Sequence, residues 1–153
     1  MNNEFKRLVD QLPGLLERLV RSPLIPWSNL DNLPKSGIYV FYEDEKPIYV
    51  GRTNRMKDRI REHGRQRSKH NSAPFAFNLA KKVAKEKGLN VSKFRAKLEG
   101  DSNFANLFSD AKERVSKMSV RVIEINDPII QTLFEVYASV SLQTTEYNDF
   151  DTH

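Results

Sequence analysis

The sequence contains no cysteine, which excludes disulfides and thiolate metal sites. A reducing, cytoplasmic setting is the expectation that follows. No apolar run approaches the length of about 20 residues that a membrane-spanning helix needs, so no membrane partner is expected. Residues 1–5 carry Asn2, Asn3 and Glu4 instead of a basic stretch leading into an apolar one, so no secretory leader is expected. Histidines number three, and none joins carboxylates at zinc-site spacing. Internal repeats and low-complexity segments are also missing.

What is present suits a soluble globular chain. Hydrophobic residues make up 39% of the 153 and charged residues 29%, enough for a modest core under a polar surface. Lysine and arginine total 25 against 20 aspartates and glutamates, a formal net charge of +5. Such a surplus fits a polyanionic partner or ordinary surface charge.

Residues 3–20 carry Phe5, Leu8, Val9, Leu12, Leu15, Leu16, Leu19 and Val20 at helical spacing, interrupted by Pro13-Gly14, so two short helices or a kink are expected. Residues 22–36 form a proline-punctuated connector in which Trp27 and Leu30 anchor to the core. GIYVFY at 37–42 reads as a strand covered on both faces, residues 43–46 as a polar turn, and PIYVG at 47–51 as the returning strand of a hairpin. Residues 54–63 read as a helix, with Asn54 as its expected N-cap and Gly64 as its stop. A polar, basic loop follows at 65–72. Helices are expected at 74–87 and 103–117, with 88–100 undefined between them. Alternation in SVRVIEI predicts a strand over 119–125, and Asp127-Pro128 opens a last helix running to about Leu142. Residues 147–153 carry no clear pattern.

The chemistry concentrates in the hairpin and the helix after it. Tyr39 and Tyr49 lie ten positions apart, one on each expected strand. Side chains on one face of neighbouring antiparallel strands come within about 5 Å, so the two phenols can meet; two core tyrosines with wet hydroxyls are the plainer alternative. Arg59 lies ten positions after Tyr49 and His63 four after Arg59, so both project from one helical face toward the hairpin. Glu135 interrupts the apolar run of the last helix and borders its buried face. A carboxylate there needs a partner, either a divalent cation or an arginine such as Arg59. Tyr39, Tyr49, Arg59, His63 and Glu135 are expected to line one concave, solvent-accessible site. Arg52, Arg55, Arg61, Arg65, Arg67 and Lys69 cluster around the same helix and loop, either as a phosphate-contacting surface or as a solvated helix face.

These pieces resemble the GIY-YIG nuclease family, which includes homing, repair and restriction nucleases. The likeness rests on GIYVFY, the ten-residue step to YVG, and RTNRMKDRIREH with Arg59 and His63 in place. Glu135 in LFEVYA and Asn148 in EYND match the family's late glutamate and terminal asparagine; valine in YVG is a mild departure. The resemblance covers residues 36–63 and 119–148, with 64–118 read as a helical insertion. It implies an α/β fold, a small, mainly antiparallel central sheet flanked by helices, with residues 1–35 as an N-terminal helical segment and 36–153 as the catalytic domain. It further implies metal-dependent hydrolysis of DNA phosphodiester bonds, with Mg²⁺ or Mn²⁺ held by Glu135. Arg59 would then stabilise phosphate charge, a tyrosine, Tyr39 first, would position or deprotonate water with help from His63, Tyr49 would hydrogen-bond in the cluster, and Asn148 would shape the site.

Two other classes stay open at this point. One is a DNA-binding module that keeps the fold and cleaves little or nothing. The other is a protein-interaction role, including a homodimer, through the leucines of the N-terminal helices.

Overall fold

The computed structural model describes residues 2–92, 95–148 and 150, with the backbone alone at 95 and 96. Strands β1 (Ile25–Pro26), β2 (Gly37–Glu43), β3 (Lys46–Thr53) and β4 (Ser119–Glu124) form one antiparallel sheet in the order β1-β4-β2-β3. The β2–β3 hairpin turns through Asp44 and Glu45, at φ 51° and 66°. Positive φ at both central residues matches the twist of the flanking strands. Strand β1 falls in the stretch read as a connector. Its proline sits at a sheet edge, where a missing backbone donor costs no ladder bond.

Strand β2 is central, and residues 37–42 are all buried. Alternation sends Tyr39 and Phe41 to one face and Ile38, Val40 and Tyr42 to the other, so each face carries its own core. Gly37 is fixed by close backbone approach: its φ is 153°, and a Cβ would stand 1.9 Å from the Ile123 carbonyl oxygen.

The Tyr39 face is covered by α3 (Met56–Gly64), α4 (Pro74–Glu86) and α6 (Ser102–Ser116), with the short α5 (Arg95–Glu99) against α6. Phe75 and Phe77 from α4 are fully buried there, and each such side chain contributes about 1.5–3 kcal/mol through lost apolar surface. The opposite face is covered by α2 (Leu12–Arg21) and α7 (Pro128–Ser141), which bury Leu12, Leu19, Phe134 and Ala138. Helix α1 (Asn3–Asp10) ends before the expected break, and Pro13 lies in the first turn of α2, where its missing N–H is harmless. Asp127 caps α7 as expected, accepting from the amides of Ile129 and Ile130 at 2.8 and 3.1 Å.

Two local expectations are corrected. Asn54 does not cap α3; its Oδ1 accepts from Gln131 Nε2 of α7 at 3.1 Å. Gly64 is the last residue of α3 and not a left-handed stop. Its lack of a side chain admits Trp27, whose ring would lie 2.9 Å from a Cβ and whose Nε1 donates to the Ile60 carbonyl at 3.0 Å. Of the patternless tail, residues 147, 148 and 150 are described, and the rest lie outside the described residues.

Candidate active site

The hairpin register sets the geometry. Tyr39 stands opposite Gly51, and Tyr49 opposite Phe41. The two tyrosines are therefore diagonal neighbours on one face and not a direct cross-strand pair, which corrects the simplest reading of their spacing. They converge on a third ring. His63, in the last turn of α3, lies 5.5 Å from the Tyr39 centroid, 5.3 Å from that of Tyr49 and 5.4 Å from that of Phe41. The Tyr39 hydroxyl and His63 Nε2 are hydrogen-bonded at 2.7 Å. Tyr49 stacks on Phe75 at 4.7 Å with an interplanar angle of 12°.

Arg59, one helical turn before His63, lies against the same phenol. Its Nη1 donates to Glu62 Oε1 at 3.0 Å and to the Ser72 carbonyl at 2.8 Å, so two acceptors fix the guanidinium. Glu62 also takes both terminal nitrogens of Arg55, at 3.1 and 3.3 Å. Burial works against the charge on Glu62, but the hydrogen bonds and charges of Arg55 and Arg59 outweigh it and hold the carboxyl below its ordinary range. Glu62 is absent from the residues expected at the site; its place three residues after Arg59 and seven after Arg55 is the signal in the sequence that points to it.

Glu135 projects from α7, which packs against β3 and β2. Its ion-pair partner is Arg52 on β3 at 3.9 Å, not Arg59. Burial pushes the Glu135 carboxyl up, and the Arg52 charge pulls it partly back. Glu135 also acts electrostatically on Tyr39, as Arg59 does, so charges from both sides of the edge strand β3 meet at the phenol. Burial raises the Tyr39 pKa above the ordinary phenol value, with Arg59 opposing. Burial, reinforced by Arg59, holds His63 well below the ordinary imidazole value. The resting pair is thus a neutral phenol on a neutral imidazole.

The expectation of an open concave site is also corrected. Tyr39 and His63 are buried at 1% and 0% exposure. Arg59 and Glu135 keep side-chain exposures of 20% and 25%, so they carry the wet edge of the cluster. A cavity of about 560 Å³, lined by Glu43, Asp110, Arg114 and Lys117 among others, lies at the turn end of the hairpin, away from these residues.

Asn148 is hydrogen-bonded to the backbone of β3, at the residue next to Tyr49. Its Nδ2 donates to the Val50 carbonyl at 2.6 Å and its Oδ1 accepts from the Val50 amide at 3.4 Å. The side chain thereby imitates a neighbouring strand along the open edge of β3. Of the cations, Arg52, Arg61, Arg67 and Lys69 are exposed, Arg55 is exposed but paired with Glu62, and Arg65 is half-buried with its Nε enclosed and without a hydrogen-bond partner.

Among the described residues, no group of three or more His, Cys, Asp or Glu side chains could hold a metal ion. The donor set still suits a hard divalent cation. Magnesium is commonly bound by one or two carboxylates completed by substrate phosphate and water, and Glu135 is a mostly enclosed carboxylate whose ion pair, at 3.9 Å, is loose. No helix among the described residues is long and apolar enough to cross a membrane.

No curated protein and no solved structure matches the chain significantly. The family model described as the GIY-YIG catalytic domain matches residues 35–118, more than half of the chain and the whole stretch that carries Tyr39, Tyr49, Arg59 and His63. With that match and a four-stranded antiparallel sheet flanked by helices, the chain belongs to the GIY-YIG nuclease family.

Proposed function

We propose that this chain is an endonuclease that hydrolyses DNA phosphodiester bonds with the help of Mg²⁺ or Mn²⁺. The observation that carries the proposal is the hydrogen bond between Tyr39 and His63 beside the fixed guanidinium of Arg59. A phenol raised by burial is no standing base at neutral pH. It can accept a proton from water only if its own proton leaves, and Nε2 of the neutral His63 is placed to receive it. In the proposed step the water oxygen bonds to phosphorus and the bond to the leaving oxygen breaks. The water proton goes to the Tyr39 hydroxyl, and the Tyr39 proton goes to His63. Arg59 meets the negative charge that builds on the phosphate oxygens; its planar fork suits them, and its protein acceptors spare it reorganisation. Tyr49 and Phe75 hold the imidazole's surroundings, and Asn148 holds β3 in place. Glu135 would hold the metal, which when bound supplies polarisation of the phosphate and neutralisation of the leaving oxygen. Arg52, Arg61, Arg67 and Lys69 form the proposed backbone-contacting surface, with Arg55 and Arg65 as outlying members. Arg55 can join only by leaving Glu62, which Arg59 still neutralises.

The burial of Tyr39 and His63 favours one alternative, a DNA-binding or protein-interaction module with the same fold and little cleavage. Incubation of supercoiled, branched and linear DNA with Mg²⁺ or Mn²⁺ separates the two. Metal-dependent nicking that is lost in Tyr39→Phe supports the nuclease; a gel shift without cleavage at any metal concentration overturns it.

A further inference from the structure

The loop over residues 65–73 joins α3 to α4 and carries both exposed cations and the carbonyl that holds Arg59. It is polar and has no regular structure of its own, yet it is tied down at several points. Lys112 of α6 is buried at 7% exposure, and its Nζ donates to the carbonyls of Gln66 and Ser68 at 2.6 and 2.9 Å. The same ammonium stands 4.1 Å from the centroid of the Phe108 ring. Beside it, Gln66 and Ser109 exchange two hydrogen bonds at 2.9 Å. Glu99 of α5 accepts from the His70 amide at 2.6 Å and pairs with the His70 ring.

A buried lysine is costly unless its charge is answered. Here two carbonyls and an aromatic face answer it, with Glu99 near enough to act on it. No part of the proposed chemistry uses Lys112, so its retention in the interior calls for another role. The route to the site is short. The Ser68 amide donates to the Arg65 carbonyl at 3.0 Å, the Lys69 carbonyl accepts from the amides of Ser72 and Ala73 at 3.0 and 2.8 Å, and the Ser72 carbonyl holds Arg59 Nη1 at 2.8 Å. A carbonyl fixed at Ser68 therefore fixes the two turns that end on the guanidinium.

We infer that Lys112 is a positioning residue for Arg59: from α6 it pins the 65–73 loop through the Gln66 and Ser68 carbonyls, and the loop in turn aims the arginine and presents Arg67 and Lys69. This rests on the reading of Arg59 as a phosphate-facing group, and it assigns to the Lys112–Glu99–His70 cluster a task in orientation, not in proton transfer. Misplacement of a catalytic group by about 1 Å can cost as much as 10²-fold in rate, so a tether at this distance is expected to matter for turnover.

The test uses the full chain and the variants Lys112→Met, Arg59→Ala and their combination. Lys112→Met keeps the stem that packs on Phe108 and removes the donors. Amide hydrogen exchange is expected to quicken at Ser68, Ser72 and Ala73 by about tenfold or more, while amides of β2 stay protected. Single-turnover cleavage is expected to fall by about tenfold in the wild-type background and to change little in the Arg59→Ala background, since a residue acting through another shows no independent loss. Unchanged exchange in the loop, or an equal loss of rate in both backgrounds, overturns the inference. If Lys112→Met does not fold, Glu99→Gln, which weakens the second tether of the same loop, is measured in its place with the same expectations and the same overturning results. If the wild-type chain cuts no DNA, the nuclease reading fails, while the exchange result still decides whether Lys112 holds the loop.

Discussion

The ring of Tyr39 lies across Gly51 on the neighbouring strand so closely that a Cβ at position 51 would stand 2.2 Å from Tyr39 Cζ and 2.3 Å from its hydroxyl oxygen. The glycine of YVG thus makes room for the phenol of GIY. The ring cannot simply swing away, because its hydroxyl is hydrogen-bonded to His63 and its edge meets Phe41 at 5.9 Å between centroids.

Gly51→Ala is therefore expected to destabilise the fold by about 1–3 kcal/mol, the usual cost of overpacking a filled interior. Cleavage is expected to fall further than the stability loss explains, since the displaced group is the proposed proton acceptor. Urea denaturation alongside single-turnover cleavage checks this. A variant of wild-type stability and rate would mean that the phenol has room to spare.

His63 gives a pH signature. Burial and Arg59 hold its folded-state pKa well below the ordinary value of 6.5, whereas the unfolded chain titrates near that value. As pH falls through 6.5 the unfolded state takes up a proton that the folded state refuses, so folding stability declines. The slope from this one group is at most about 1.4 kcal/mol per pH unit. Glu135 acts in the opposite sense, because its folded pKa is raised, but it is present in both proteins of the comparison. The stability of wild type is expected to drop more steeply between pH 7 and pH 5 than that of His63→Gln. Parallel curves from denaturant titrations would show that His63 takes up a proton in the folded state as readily as in the unfolded one.

Asn148 is expected to behave as an edge brace. Asn148→Ala removes its two hydrogen bonds to Val50 and is expected to cost about 1 kcal/mol. Asn148→Asp is expected to cost more, because a carboxylate cannot donate to the Val50 carbonyl and sets one acceptor against another. Metal affinity is expected to survive Asn148→Ala, since this side chain bonds to the β3 backbone and Glu135 lies on α7. Chemical denaturation and metal titration of the two variants decide the point; equal stability of Asp and Asn would exclude the brace.

What was legible in the sequence follows from range. The hairpin, α3, β4 and α7 each carry their own signals within a few residues: the alternation in SVRVIEI, the Asp127-Pro128 start, the polar turn between two apolar runs. The convergence of Arg59 and His63 on the hairpin was legible for the same reason, four residues on a helix that follows its strand directly. The diagonal placement of Tyr39 and Tyr49 was not, because it depends on a register shift between Phe41 and Tyr42 that no spacing rule announces. Nor was the pairing of Glu135 with Arg52, or of Asn148 with Val50, contacts that bridge residues 83 and 98 positions apart (135 minus 52 and 148 minus 50). Asn54 read as a helix cap because its local context favours one, but Gln131 from α7 offered it a different bond.

The two charged residues at the wet edge of the site, Arg59 and Glu135, are expected to fail in different ways when replaced. Arg59 is proposed to act on charge that develops as water attacks, and its two protein acceptors hold it ready for that moment. Arg59→Ala is expected to lower the single-turnover rate on the order of 10²–10³-fold, the loss typical of one preorganised charge-stabilising donor. DNA affinity is expected to fall far less, because the exposed cations of the helix and loop also meet the backbone and release counterions. Glu135 is proposed to hold the cation, so Glu135→Ala is expected to abolish cleavage and to weaken metal binding. Glu135→Gln keeps the shape and removes the charge, and is expected to be nearly as damaging, since a neutral amide oxygen is a far poorer partner for a divalent ion than a carboxylate. It also leaves Arg52 without its partner, so DNA affinity measured without metal is expected to rise slightly as that guanidinium becomes free for phosphate. Single-turnover cleavage, metal titration by calorimetry and metal-free DNA binding together read all three effects. Glu135→Gln cutting DNA at the wild-type rate with unchanged metal affinity would remove Glu135 from the site and leave Arg59 and the Tyr39–His63 pair to be explained without it.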